Sequence, residues 1–127
     1  MLKAVAIIIE DSNGRLLIQD HVKRNFFTMP IGAVEVNETH HDAAVRELHE
    51  ELNIDAGVLN HYWSGDVPCG SEGDVYTVIF KLVCYKGDIT NAEPHKHRSL
   101  QWVAPNEIRG LGKLSATLTK YLDLIGA

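Results

Sequence analysis

The sequence predicts a mixed α/β sandwich, and three observations predict it. Several runs rich in Val, Ile and Leu have the length and composition of strands: Lys3 to Glu10, Arg15 to Asp20, Ile54 to Trp63 and Asp74 to Lys86. The stretch from about residue 40 to 52 carries apolar residues at helical spacing between a start and a stop signal. A second helical stripe, Leu118, Leu122 and Ile125, lies near the end of the chain. With 127 residues and 45% hydrophobic content, the chain reads as one domain with a core of its own, without internal repeats.

The first strand, Lys3 to Glu10, is apolar without alternation from Ala4 to Ile9, which predicts burial on both faces. Asp11-Ser12-Asn13-Gly14 follows as a tight turn, with Asn-Gly as a hairpin signal, and Arg15 to Asp20 returns. His21 to Asn25 is a polar loop in which Lys23 and Arg24 read as a solvated rim. Phe26-Phe27-Thr28-Met29-Pro30 leads from there towards Gly32. After the helix come a strand from Ile54 to Trp63, an exposed Gly-, Asp- and Ser-rich loop over residues 65–74, and the longest strand, Asp74 to Lys86, placed centrally. Lys86-Gly87-Asp88 turns, and Leu100 to Val103 resumes an apolar run. Pro105 suits the first position of a short helix, and Ser115 caps a final one reaching about Ile125.

Residues 40–52 carry the chemistry. Thr39 is the expected N-cap, Asp42 completes an acidic variant of the capping box, and Asn53 can take the left-handed conformation that closes a helix. Ala43, Ala44, Leu48 and Leu52 form a packing stripe, whereas Glu47, Glu50 and Glu51 fall at i, i+3 and i+4 on another face. Like charges so spaced repel, and a hard divalent cation, Mg²⁺ or Mn²⁺, would offset them by accepting carboxylate and carbonyl oxygens. Gly32 could offer such a carbonyl, because a residue without a side chain lets its backbone approach an ion. A solvated acidic face is the bland alternative on this spacing alone.

The order of residues goes further. Gly32, five residues, Glu38, seven residues, then Arg46-Glu47-Leu48-His49-Glu50-Glu51 and an aliphatic Ile54 resembles the signature box of the Nudix hydrolases. Six fixed identities at ordinary abundance arise by chance about once in ten million start positions, which displaces the bland reading. The resemblance covers nearly the whole chain. It departs at Ile31, Asn37 and Asn53, where the family commonly has glycine; asparagine tolerates positive φ, but Ile31 implies ordinary extended backbone.

The resemblance implies an α/β/α sandwich with a mixed sheet and hydrolysis of a nucleoside diphosphate linked to a group X. It implies metal ligation by Gly32, Glu47, Glu50 and Glu51, with Glu47 as ligand or base, Arg46 holding a glutamate in position and Glu38 bracing the loop. Glu93-Pro94-His95-Lys96 resembles a segment of the small Nudix nucleoside-triphosphate diphosphatases, so Glu93 is a further candidate for the metal site or the base. Phe27 and Thr28 are candidates to touch substrate. The expected reaction is a nucleoside or deoxynucleoside triphosphate cut to monophosphate and pyrophosphate. ADP-ribose or a nucleotide sugar is the alternative, and a sensor without turnover is disfavoured because every box acid is kept.

A formal net charge of −5 argues against nucleic acid or an anionic membrane as partner and leaves a small nucleotide bound through metal. The apolar run Ala4 to Ile9 is too short to span a membrane and lacks the features of a signal peptide, and Cys69 and Cys84 have no ligand spacing. The expectation is a cytoplasmic protein, as monomer or homodimer.

Overall fold

The computed structural model describes residues 2–127. Its strands are β1 (Lys3–Ile8), β2 (Leu16–His21), β3 (Phe26–Thr28), β4 (Ile31–Ala33), β5 (Asp55–Pro68), β6 (Asp74–Lys86) and β7 (His97–Val103). Its helices are α1 (His40–Leu52), α2 (Pro105–Ile108) and α3 (Ala116–Ile125). The strands form two sheets, one in the order β4-β1-β6-β5 and one in the order β3-β2-β7. The larger sheet is mixed, because β1 runs parallel to β6 while its other pairs are antiparallel.

Two apolar cores give the molecule its layers. Val5, Ile7 and Ile9 join Val78, Phe80 and Leu82 against Ala43, Ala44, Leu48 and Leu52 of α1. Ala6 and Ile8 point the other way, with Ile18, Met29 and Ile79, against Ile108 of α2 and Leu118 and Leu122 of α3. Strand β1 is therefore buried on both faces, as its unbroken apolar run predicts. Each large aliphatic side chain buried in this way contributes roughly 1.5–3 kcal/mol.

Helix α1 has the predicted bounds. Thr39 Oγ1 accepts the Asp42 N–H at 3.0 Å, and Asn53 closes the helix at φ 57°, ψ 39° with its N–H on the His49 carbonyl. Loop backbone covers two more of its terminal carbonyls, Thr90 N–H donating to Leu52 O and Ala92 N–H to Glu51 O. Asn37 also sits at positive φ, and Ile31 is extended in β4, paired with Ala6.

Three expectations are corrected. The Asp11–Gly14 turn forms, but its strands do not make a hairpin ladder; beyond the single bridge Glu10–Leu16 they part into different sheets, because β4 and β6 occupy both edges of β1. Strand β5 does not end at Trp63 but runs to Pro68, its register with β6 continuing to Asp74, so the exposed loop shrinks to residues 69–73. Gly65, which read as loop composition, lies inside that strand because the Trp63 ring crosses it; a Cβ there would meet Trp63 Cζ2 at 2.7 Å. At 14 residues β5 is also one longer than the 13 of β6, which is interior as expected.

Ser115 links the C-terminal helix to the strand that precedes the site. Its hydroxyl accepts the Leu118 N–H at 3.1 Å and lies 2.9 Å from the buried Thr28 hydroxyl, while its N–H donates to Phe27 O. Ser115→Ala removes a cap and leaves Thr28 short of a partner, so unfolding in urea should give a loss of about 2 kcal/mol with an unchanged slope.

Candidate active site

Strand β4 and helix α1 meet at Gly32. The β1–β4 pairing sets Gly32 opposite Val5, with its backbone against the Glu47 carboxylate, where any Cβ would collide. Glycine is required here for close approach, since its φ is not in the left-handed region. Arg46 ties the loop to the helix. Its Nε and Nη2 grip Glu38 in a two-pronged pair at 2.8 and 3.0 Å, Nη2 also donates to Ala33 O at 2.9 Å, and Nη1 reaches Glu47 at 2.9 Å and Glu50 at 3.3 Å. Glu38 accepts the Glu35 N–H as well, and the Arg46 pair foremost holds its carboxyl down at about 2. Glu35 itself is exposed, 3.7 Å from Arg46.

The three glutamates of the helix do not share one solvated face. Glu50 is exposed, Glu47 is mostly covered, and Glu51 is buried with 2% of its surface accessible. Glu51 lies between Leu48 and Leu52, at the edge of the packing stripe, and its side chain enters the gap between α1 and β2. There Gln19 Nε2 donates to its Oε1 at 2.8 Å, and His97 Nε2 stands 3.7 Å away. Burial foremost, then the Glu47 carboxylate, pushes the Glu51 carboxyl far above the usual range. Burial foremost also pushes His97 down to about 4, so the ring is neutral at pH 7 and its approach to Glu51 is not an ion pair.

Glu93 approaches from the β6–β7 connection. Its carbonyl accepts the Lys96 and His97 N–H groups, its carboxylate lies 3.1 Å from Lys96 Nζ, and its charge is felt at Glu51. The fold thus gathers Gly32, Arg46, Glu47, Glu50, Glu51 and, at the margin, Glu93. Among the described residues no three His, Cys, Asp or Glu side chains are arranged to enclose a metal. The donors nonetheless fit a hard cation. Among the described residues no N–H or hydroxyl donates to the buried Glu51 Oε2, the Glu47 carboxylate is its close neighbour, and a bare backbone stands beside Glu47. A Mg²⁺ site needs only one or two protein carboxylates when substrate phosphates and waters complete its shell.

Phe27 and Thr28 pack inward from β3. Thr28 is wholly buried, its hydroxyl beside that of Ser115, and Phe27 turns its ring into the second core near Gly112. It is Phe26 that lines a cavity of about 560 Å³ between the two sheets, with Gly32, Thr77 and Ser115 also in its walls. Strand alternation explains the difference, because the neighbour of a core residue faces the opposite way. Gln19 and His97 were not among the sequence candidates. A polar residue directly after the apolar run Leu16–Ile18 is the signal that could have marked Gln19; His97 in a polar loop carried none.

Comparison with known proteins agrees with this geometry. The profile of the NUDIX domain family matches residues 2–124. The CTP pyrophosphohydrolase of Escherichia coli is 30% identical over an alignment of 112 residues that covers 84% of this chain and 78% of that protein. Among solved structures, the MutT NUDIX hydrolase from Burkholderia pseudomallei superposes with a TM-score of 0.82 at 20% identity, covering 96% of this chain and 95% of that one. The E. coli ORF135 protein superposes with 0.81 at 26% identity, covering 99% and 89%. Nudix hydrolases act on small nucleotide substrates and generally use divalent metal ions. With the box residues drawn around Gly32 and the family profile spanning almost every described residue, this chain belongs to the Nudix hydrolases.

Proposed function

We propose that this chain hydrolyses a nucleoside or deoxynucleoside triphosphate to the monophosphate and pyrophosphate, using Mg²⁺, for which Mn²⁺ can substitute. One observation carries the reading: Gly32 is at once a wall of the cavity between the sheets and the backbone lying against Glu47. A nucleoside held in that cavity, which has the volume of a small-molecule site, would extend its phosphates to the acids. Phe26 offers a ring for stacking the base. Similarity to the E. coli CTP pyrophosphohydrolase makes cytidine triphosphate the first compound to test.

We assign Glu50, Glu51 and the Gly32 carbonyl as metal ligands, and Glu47 as a ligand or the group that takes the proton of the attacking water. Glu93 is a further acid for either task. Arg46 acts through the glutamates, holding Glu47 and Glu50 in place. When bound, the cation would neutralise phosphate charge and lower the pKa of a bound water. Among the described residues no helix is long and apolar enough to cross a membrane, and the free thiols of Cys69 and Cys84 suit a reducing cytoplasm.

Pyrophosphate release should be measured with Mg²⁺ and with EDTA across NTPs, dNTPs, ADP-ribose and UDP-glucose. Mg²⁺-dependent turnover of a triphosphate is expected; turnover confined to ADP-ribose or the sugar nucleotide would transfer the reading to those substrates, and binding without turnover would make the chain a sensor. Glu50→Gln should cost about two to three orders of magnitude in kcat while leaving circular dichroism and Tm unchanged.

Glu51→Gln separates function from stability. The wild-type carboxyl, raised by burial, takes up a proton on folding, a cost that grows as pH rises above the unfolded value, and an amide does not titrate. In EDTA at pH 8 the variant should melt several degrees above the wild type, and with Mg²⁺ restored it should be inactive where the wild type turns over. A lower Tm would contradict this account of Glu51. Gly32→Ala should fold, since only the end of the Glu47 side chain obstructs the new methyl, but it should lose most activity because that carboxylate must move.

A further inference from the structure

We propose that a basic depression beside the carboxylates, lined by His21, Lys23, Arg24, His95 and Lys96, seats the anionic leaving group, the terminal phosphates of a nucleoside triphosphate, and so selects a phosphate chain over a sugar beyond the scissile bond. This deepens the triphosphate reading and rests on it.

The depression has a volume of about 490 Å³; among the described residues its only other lining residue is Val22 and no acid stands in its walls, although the chain carries a net charge of −5. It is built by tertiary structure. The turn between β2 and β3 and the turn before β7 are joined by the Val22 N–H donating to Lys96 O at 2.8 Å, which brings Lys23 and Arg24 to Lys96. Residues that read as a solvated rim in sequence thereby become one face of a pocket. Among the described residues Lys23 has no carboxylate within ion-pair distance, whereas Arg24 is drawn to Glu72 at 2.5 Å and Lys96 to Glu93 at 3.1 Å.

Its position is as informative as its charge. The His21 ring lies 5.4 Å from the His97 ring, and His97 in turn abuts Glu51. Lys96 pairs with Glu93 at 3.1 Å, and its charged form is favoured by Glu93 first and, from farther off, by Glu47 and Glu50. His21 and Arg24 also line the cavity between the sheets. The two share His21 and Arg24 as walls, so a linear molecule can run from the cavity, where Gly32 lies against Glu47, into the depression. Pyrophosphate leaving there meets ammonium and guanidinium donors, while a sugar in the same place would desolvate them without replacing their hydrogen bonds.

The test compares wild type, Lys23→Glu and Lys23→Gln with Lys86→Glu, a variant of equal charge change at the far end of β6. For the best triphosphate, KM and the inhibition constant of inorganic pyrophosphate should rise together by about tenfold in Lys23→Glu, less in Lys23→Gln, and not in Lys86→Glu, with kcat falling far less. Inhibition by pyrophosphate should be competitive, and its strength should fall with added salt. Unchanged constants in both Lys23 variants would overturn the inference while leaving triphosphate hydrolysis standing, as would non-competitive inhibition, which would mean an anion site apart from the substrate. A wild type that turns over only ADP-ribose or sugar nucleotides would remove the underlying reading itself.

Discussion

The guanidinium of Arg46 is the constraint on which the site depends. A helix bearing Glu47, Glu50 and Glu51 beside a loop bearing Glu35 and Glu38 concentrates negative charge that would otherwise hold loop and helix apart. Arg46 sits between them and uses its planar donors in three directions: to Glu38, to the Ala33 carbonyl, and to Glu47 and Glu50. Lysine could not do this, since an ammonium cannot grip one carboxylate with two parallel bonds while reaching a carbonyl and a second acid. The backbone agrees with the side chain: Asn37 at φ 65° turns the loop so that Glu38 returns to the helix.

With the loop anchored, the three helix glutamates come to differ although they are four residues apart at most. Glu50 keeps its water, Glu47 is held between Arg46 and Gly32, and Glu51 is pressed among Gln19, His97 and apolar neighbours. A buried carboxyl with an unpartnered oxygen is a cost to the folded chain. The first core, from Leu48 and Leu52 across to Phe80 and Leu82, supplies the stability that keeps it there. Packing and chemistry are therefore written on the same helix one residue apart, and a change that relieves the site would stabilise the protein.

How much of this was legible in the sequence follows from the range of each interaction. Helix α1 was legible to the residue, because Thr39 and Asn53 act within their own turns. The acids and Gly32 were legible because their spacing matches a known box. What depended on contacts between distant segments was not. The depth of Glu51 is decided by Gln19, 32 residues away, and the burial of Thr28 by Ser115, 87 residues away. That Phe26 rather than Phe27 faces the cavity depends on the parity of a three-residue strand, too short for its alternation to be read. The extension of β5 to Pro68 was hidden by Gly65 and Asp66, whose loop composition is overruled by the ladder to β6 and by the ring of Trp63.

The distribution of charge joins these points. An acidic chain repels a polyanionic nucleotide at long range, so affinity must come from local features that reverse the field over a short distance. The acids around Gly32 can do so only by gathering a cation, and the lysines and Arg24 do so directly. Both sets lie within a few residues' reach of the cavity between the sheets: Gly32 on one wall, His21 and Arg24 on another. The split of the strands into two sheets is what opens that cavity, and the split begins at the Asp11–Gly14 turn, where β2 leaves β1 to pair with β3 and β7. Had the predicted hairpin formed as one ladder, β2 would have taken an edge of β1 that β4 or β6 now holds. Gly32 would then have had no strand to deliver it to Glu47, and His21 no position beside His97.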